Sequence, residues 1–190
     1  MGLNEARGNM YPFVTHTWNA IKGICPHECS YCYMRGMVKK PPYFDHRELK
    51  TDLGDGNYIF VGSSCDMFAK KIPHDWIVDV LTKANGYGNS YLFQSKNPER
   101  MVNYLADEYL ARPFSICTTI ETNREYDLEI MGCAPPPFAR AMAMNVGRQA
   151  HLTTMLTIEP IMDFDLDEMV DLARMVAPVQ VNIGADSKGN

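Results

Sequence analysis

The stretch Cys25-Pro26-His27-Glu28-Cys29-Ser30-Tyr31-Cys32 brings three thiols together at offsets of four and three residues. Thiolates are preferred ligands of zinc and of iron-sulfur clusters, and four of them would fill a tetrahedral zinc site or complete an ordinary cluster. If a 4Fe-4S cluster is held by Cys25, Cys29 and Cys32 alone, one iron keeps a position that a small molecule can occupy. The spacing therefore predicts a cluster that takes part in chemistry.

The Cys-x-x-x-Cys-x-x-Cys pattern, with Tyr31 just before the third cysteine, resembles the signature of the radical S-adenosylmethionine (SAM) superfamily. The flanking segments Trp18-Asn19 and Cys32-Tyr33-Met34-Arg35 look closer still to small phage-associated radical SAM proteins distantly related to spore photoproduct lyase. The resemblance implies that the three cysteines hold the cluster and that Tyr31 lies near the adenine of SAM.

The same resemblance implies an activity. In the superfamily, an electron from the cluster cleaves SAM to a 5′-deoxyadenosyl radical, which abstracts hydrogen from a substrate. The electron is expected to come from an external one-electron reductant of the flavodoxin or ferredoxin type. The protein itself would contribute placement and electrostatics.

Two other functions fit the cysteine pattern. A zinc ion completed by His27 or by a distant residue would make a non-catalytic structural or interaction protein. A cluster that never meets SAM would make an iron-sulfur electron-transfer protein. The cysteines alone leave these alternatives open.

Composition limits the class of protein. At 190 residues with 46% hydrophobic content, the chain suits one domain with a real core. A net charge of -5 and two isolated lysine doublets, Lys39-Lys40 and Lys70-Lys71, give no basic surface for nucleic acid. No run of eighteen apolar residues suggests a membrane span, and six dispersed or clustered cysteines do not form a secreted disulfide framework. We expect a cytoplasmic protein.

Short apolar runs alternate with amphipathic segments along the chain, which predicts an α/β fold with parallel strands. The expected strands are 14–19, 58–61, 91–93, 114–120, 153–158 and 179–183. Five helices are expected between them, the first beginning at Tyr33 and the fourth burying Phe138, Ala141, Met142 and Val146. Six such strands curl toward a partial (β/α)6 TIM-like barrel that is open on one side.

The domain boundaries follow from this pattern. Residues 1–12 are expected to be a flexible leader, and residues 13–190 a single radical SAM core domain that lacks its last helix. Six strands do not close a barrel. We therefore expect a macromolecular substrate, such as a nucleotide or peptide unit of a polymer, or a partner subunit to cover the open side.

Polar residues follow each predicted strand, and in barrels of this kind the active site lies at those carboxyl ends. Where the superfamily usually carries Gly-Gly-Glu, the second strand ends in Gly62-Ser63-Ser64-Cys65-Asp66. Ser63, Ser64 and Asp66 are therefore candidates to hold the SAM amine. A plain capping role for Asp66 remains an alternative.

The other tips complete the predicted pocket. Glu121 and Asn123 are predicted ribose ligands and Arg124 a carboxylate ligand, unless Arg124 makes a surface ion pair with Glu125 or Asp127. Lys96 and Glu159 are weaker candidates, and the tip of the sixth strand is 184–187. Cys65 is a thiol at a strand tip, so it is a candidate hydrogen-atom donor to a product radical. Packing is its alternative role.

Overall fold

Seven strands form one sheet in the computed structural model, which describes residues 3–7, 11–106 and 113–184. The strands are β1 (Asn4–Glu5), β2 (His16–Trp18), β3 (Ile21–Lys22), β4 (Tyr43–Phe44), β5 (Tyr58–Val61), β6 (Ser90–Gln94), β7 (Phe114–Thr119), β8 (Thr153–Ile158) and β9 (Gln180–Ile183). The helices are α1 (His74–Asn85), α2 (Pro98–Ala106), α3 (Leu128–Met131), α4 (Pro137–Gln149) and α5 (Leu166–Val176), with a 3-10 helix at His46–Lys50.

The sheet runs in the order β1-β2-β5-β6-β7-β8-β9, and its last six strands are parallel neighbours in chain order. A sheet whose successive strands always add on the same side is the wall of a barrel, whereas a doubly wound sheet reverses its order. Among the described residues β1 and β9 remain unpaired edges, so the barrel is not closed. The predicted open, partial (β/α)6 TIM-like barrel is confirmed.

The first crossover differs from the prediction. Residues 19–57, all of them described, contain turns, the small antiparallel sheet of β3 and β4 and the 3-10 helix, but no α-helix. The helix expected to begin at Tyr33 is therefore wrong. Successive turns form instead, with Arg35 N–H donating to Cys32 O and Met37 N–H to Met34 O, and Gly36 adopts a φ of 85° that a right-handed helix does not allow.

Part of the predicted leader joins the sheet. Asn4–Glu5 pairs antiparallel with β2, and Tyr11 packs beside Phe13 and Phe60 on the inner face of the sheet. Residues 1–2 and 8–10 of the leader lie outside the described residues, as do the tip residues 185–187. Thus part of the segment expected to be flexible contributes to the barrel.

Alternation along the strands separates two layers of core. One face packs against the helices, while the other forms a small inner cluster that includes Val14, Phe60, Leu92, Cys117 and Met155. Because side chains alternate along a strand, the residues that follow these at two-residue steps also face inward. The inner face therefore carries the side chains that reach the carboxyl ends of the strands.

Helix α4 buries a different stripe from the predicted one. Phe138, Met142 and Val146 are 59%, 44% and 53% exposed, and only Ala141 of the predicted set is buried. The buried stripe includes Arg140 and Gly147. A Cβ at Gly147 would lie 2.9 Å from side-chain carbons of both Ile116 and Val102, so glycine allows the helix to approach the sheet on this side.

No described helix has the length and apolar character needed to cross a membrane.

Candidate active site

A cavity of about 730 Å³ opens on the inner face of the sheet, at the carboxyl ends of its strands. Its walls come from residues 25–32, here called the cysteine loop, from the tips of β5, β6 and β8, and from Tyr11 of the leader. The structure brings ten of the thirteen predicted site residues to this cavity: Cys25, Cys29, Cys32, Tyr31, Ser63, Ser64, Cys65, Asp66, Lys96 and Glu159. The predicted convergence of the strand tips is therefore observed for most of the set.

The cysteine loop is clamped from behind by the short helix α3. Cys29 Sγ donates a hydrogen bond of 3.2 Å to Met131 O, and Ser30 N–H donates one of 2.9 Å to Ile130 O. Cys133 N–H donates to His27 O at 2.7 Å. These contacts join residues about a hundred positions apart and fix the backbone on which the three thiols are mounted.

Gly132 makes this clamp possible. Its φ of 64° and ψ of -146° belong to a region that is essentially confined to glycine. A Cβ there would overlap His27 O and would lie 2.9 Å from the backbone nitrogen of Cys29. Because these neighbours are backbone atoms, they cannot move aside as a flexible side chain can. No local sequence pattern distinguishes Gly132 from the other glycines.

A chain of buried charges lies against Cys29. Lys96 Nζ is 3.8 Å from Cys29 Sγ, donates to Tyr31 Oη at 3.0 Å and forms an ion pair with Glu121 Oε1. The Tyr31 hydroxyl also donates to Glu121 Oε1 at 2.8 Å, and Arg140 Nη1 donates to Glu121 Oε2 at 2.7 Å. Burial alone would raise the pKa of Glu121, but Lys96 and Arg140 hold it below its usual value.

Glu121 therefore does not line the cavity; it lies behind the side chains that do. It is completely buried, with its carboxylate between two cations and a phenol. Arg140, which the sequence analysis missed, is also completely buried. Its only signal in the sequence was a charged residue on an otherwise amphipathic helix, which is a weak indication.

A second polar group links the cysteine loop to β6. His27 Nε2 and Asp66 Oδ2 are 2.9 Å apart, and Asp66 also accepts from Ser95 Oγ and from the backbone N–H groups of Phe68 and Lys96. Burial opposes the charge on both partners, yet their pairing raises the pKa of His27 and lowers the pKa of Asp66. Both Asp66 oxygens are thus already engaged by protein donors.

Asn19 organises the tip of β5. Its side-chain oxygen accepts from Ser64 N–H at 3.0 Å, and its nitrogen donates to Ser63 Oγ at 3.1 Å. Tyr33 adds a hydrogen bond of 2.8 Å from its hydroxyl to Ser63 O. The two serines predicted to hold the SAM amine are therefore kept in place by residues on either side of the cysteines.

Cys65 is buried beside Cys25. A hydrogen bond from the Cys65 thiol lowers the pKa of Cys25 to about 7, and the same interaction together with burial raises the pKa of Cys65. The interaction thus favours the thiolate form of Cys25 over that of Cys65. Cys117, by contrast, is buried in the middle of β7, as its sequence context predicted.

Asn123 and Arg124 are not brought to the cavity. Arg124 forms an ion pair with Asp163 and donates from Nε and Nη2 to Asp165 at 2.9 Å, while Asn123 Nδ2 donates to Glu168 at 2.7 Å. The ion-pair alternative was thus correct in kind, but its partners lie about forty residues away, where local spacing cannot indicate them. Their predicted role as SAM ligands finds no geometric support here.

A neutral polar group closes the inner end of the cavity. The Tyr11 hydroxyl donates to Gln94 Oε1 at 2.8 Å and lies 2.8 Å from Thr157 Oγ1, and Gln94 Nε2 donates to Thr119 Oγ1 at 3.0 Å. All four side chains line the cavity. Strand alternation could have indicated Gln94, Thr119 and Thr157, whereas nothing in the local sequence indicated Tyr11.

The donor set fits a thiolate-held cluster. All three cysteines line a cavity far larger than a single ion requires, and an ammonium group approaches the sulfur of one of them. Among the described residues, no group of three or more His, Cys, Asp or Glu side chains is arranged to hold a single metal ion.

The chain matches no protein-family profile, and it matches no curated protein. Its fold, however, matches solved structures of spore photoproduct lyase. A cysteine-to-serine variant aligns with a TM-score of 0.70 and 13% identity, covering 96% of this chain and 58% of the lyase chain. A variant with bound AdoMet and dinucleoside spore photoproduct aligns with a TM-score of 0.66 and 14% identity, covering 89% and 54%. This chain thus spans little more than half the length of those proteins, and it shares their fold.

Proposed function

We propose that this protein is a radical SAM enzyme. The observation that carries the proposal is that Cys25, Cys29 and Cys32 all line a cavity of about 730 Å³ at the carboxyl ends of the strands of a partial barrel. When bound there, a 4Fe-4S cluster would supply the electron that cleaves SAM to a 5′-deoxyadenosyl radical. The likeness in fold to a protein solved with AdoMet supports this assignment.

The chain's own side chains divide the work of binding. Ser63 and Ser64, held by Asn19, present polar groups toward an amine, and the Lys96 ammonium presents positive charge toward a carboxylate. Tyr31 and the neutral group around Gln94 provide surfaces for an uncharged ring system. A pocket of this kind fixes geometry and excludes water, which a reactive radical requires.

We further propose that the substrate is a nucleotide or peptide unit within a polymer. The barrel is open between its edges, and the lip of the cavity carries exposed Tyr33 and Glu159. The matched lyase structure holds a dinucleoside photoproduct, which makes that compound a reasonable first probe. The expected setting is the cytoplasm, with an external reductant of the flavodoxin or ferredoxin type. A partner subunit could cover the open side in place of a polymer.

Cys65 is the proposed hydrogen-atom donor to the product radical. It lines the cavity beside Cys25 and follows the end of β5. Cys65→Ala should still form 5′-deoxyadenosine from SAM but should give altered or quenched product. Cys117→Ala is the matched control, because it removes another buried thiol of the inner face that does not line the cavity. Normal product from Cys65→Ala would remove this role.

The decisive experiment is anaerobic reconstitution with iron and sulfide, followed by dithionite and SAM, with 5′-deoxyadenosine as the readout. About four irons per chain and formation of that nucleoside are expected. Cys29→Ala should lose both, whereas Cys133→Ala should lose neither, because the Cys133 side chain is exposed outside the cavity. Zinc that resists iron reconstitution, with tetrahedral sulfur and nitrogen ligation, would overturn the proposal in favour of a structural zinc site. A stable cluster without SAM cleavage would favour electron transfer.

A further inference from the structure

Three charged side chains connect helix α4 to the sulfur of Cys29. Arg140 pairs with Glu121, Glu121 pairs with Lys96, and Lys96 Nζ lies 3.8 Å from Cys29 Sγ. The Arg140 and Glu121 side chains are completely buried, and the Lys96 side chain is 20% exposed. The chain of charges therefore runs through the protein interior and ends at one predicted cluster ligand.

Arg140 is the fixed end of this chain. Its Nε donates to Pro135 O at 2.6 Å, and its Nη1 donates to Thr119 O at 2.9 Å as well as to Glu121. Two backbone carbonyls thus hold the guanidinium in place before it meets the carboxylate. Its other terminal nitrogen, Nη2, has no hydrogen-bond partner among the described residues. The guanidinium of Arg140, held by these carbonyls, therefore orients the carboxylate of Glu121.

Lys96 is the end that meets the cysteine loop. Besides Glu121 it contacts the Tyr31 hydroxyl, and its ammonium lies 4.3 Å from the centre of the Tyr31 ring. Two cations and one anion leave these three side chains with an excess positive charge, and the cation nearest the sulfur is Lys96. In a buried setting such a charge acts strongly over short distances.

We propose that Lys96, oriented by Glu121 and Arg140, sets the reduction potential of the cluster ligated at Cys29. The inference rests on the proposed function only in requiring that Cys29 is a cluster ligand. Hydrogen bonds to the sulfurs and net charge nearby determine the potentials of iron-sulfur centres. A positive charge beside a thiolate stabilises the reduced cluster, because that form carries one more electron. Lys96 therefore raises the potential.

A purely structural role for the three charges makes a different prediction. If they only brace the cysteine loop, any substitution in the chain would loosen the site and disturb the cluster in the same way. If their electrostatic field matters, removal of a cation and removal of the anion must shift the potential in opposite directions. The sign of the shift therefore separates the two roles.

The experiment is a potentiometric titration of the reconstituted protein without SAM, followed by electron paramagnetic resonance of the reduced cluster. Lys96→Met should move the potential to more negative values, and Lys96→Gln, which keeps a hydrogen-bond donor, should move it in the same direction. Glu121→Gln should move it to more positive values, because a negative charge is lost. Lys96→Arg, which keeps the charge, should stay closest to the unsubstituted protein.

Lys83→Met is the matched control. Lys83 makes the same two contacts with Tyr87 that Lys96 makes with Tyr31, a hydrogen bond of 2.8 Å to the hydroxyl and a cation-π contact at 4.6 Å. It does not line the cysteine cavity, so its loss should leave the potential unchanged.

Shifts of the same sign in Lys96→Met and Glu121→Gln, or no shift in either, would overturn the proposal. Loss of iron in both Lys96→Met and Lys96→Gln would also overturn it, because Lys96 would then be needed to maintain the loop. The titration needs a bound cluster but no SAM cleavage. A failure here is thus distinguishable from a failure of the proposed enzymatic activity.

Discussion

Glu121 and Arg124 stand three residues apart at the same strand tip, yet they belong to different parts of the molecule. The inner group, Tyr31, Lys96, Glu121 and Arg140, is packed against Cys29 and largely excluded from water. The outer group, Asn123, Arg124, Asp163 and Asp165, is exposed and pairs among its own members. Charged residues at neighbouring positions therefore have different roles: the chain leaves β7 at Thr119, and Glu121 stays buried against Lys96 and Arg140 whereas Arg124 pairs with Asp163 and Asp165.

The largest effect is expected for iron binding when Gly132, whose backbone packs against the cysteine loop, is substituted. Gly132→Ala should abolish iron binding on reconstitution, because the added Cβ would overlap His27 O in the cysteine loop. Gly36→Ala is the matched control: it also has a positive φ, of 85°, but no atom within 4 Å of a Cβ, so it should cost about 1–2 kcal/mol of backbone strain and keep its iron. Iron content and unfolding midpoints measure both. Equal iron in the two variants would contradict the clamp.

The next largest effect is expected in the free energy of unfolding, to which the inner group should contribute more than the outer group. Glu121→Ala leaves Lys96 and Arg140 buried without their shared carboxylate, so we expect a loss of about 3–5 kcal/mol in the free energy of unfolding. Arg124→Ala breaks only exposed ion pairs and should leave the urea midpoint unchanged. Urea titrations at equal ionic strength give both values. The comparison would fail if the exposed substitution proved as costly as the buried one.

SAM affinity tests the same contrast through the ligand. Lys96→Met should weaken binding by about 1.5–3 kcal/mol, which is roughly 10- to 150-fold, if it removes one charge-assisted contact. Arg124→Met should bind SAM as the unsubstituted protein does, contrary to the role that the sequence suggested, because its partners lie outside the cavity. Isothermal calorimetry on the reconstituted proteins is the measurement. A clear loss in Arg124→Met would restore that residue to the site.

The smallest effect concerns the thiols themselves. In the iron-free protein, alkylation of Cys25 should show a pH midpoint near its pKa of about 7, because the Cys65 thiol donates a hydrogen bond to the thiolate. The thiolate form thus dominates above that pH and is lost below it. Cys65→Ala should move the midpoint upward, whereas Cys117→Ala should not. An unshifted midpoint in Cys65→Ala would show that the two thiols are not paired.

Much of the fold could be predicted because it depends on local pattern. The apolar runs placed the six parallel strands to within a residue or two, and their carboxyl ends did bring the cysteines, Ser63, Ser64 and Lys96 together. Periodicity failed at α4, where Phe138 was expected inside. A buried ion pair from Arg140 to Glu121 and the small Gly147 determine the face of that helix, and neither is visible in an apolar pattern.

The candidate site was less predictable because its contacts join distant parts of the chain. The partners of Arg124 lie about forty positions away, and those of the cysteine loop about a hundred. Tyr11 was missed for the same reason, since nothing near it indicates that it reaches Gln94 and Thr157. The inward alternation of Gln94 and Lys96, by contrast, follows from β6 alone.

The pairing of Asn4–Glu5 with β2 has a practical consequence for protein engineering. Trimming the chain to residue 13 would remove the strand that covers the edge of β2, and with it the phenol that closes the inner end of the cavity. The shortened protein would have an uncovered edge available for association with other chains and a deeper, wetter cavity. Affinity tags and protease sites are therefore better placed ahead of residue 3 than between β1 and β2.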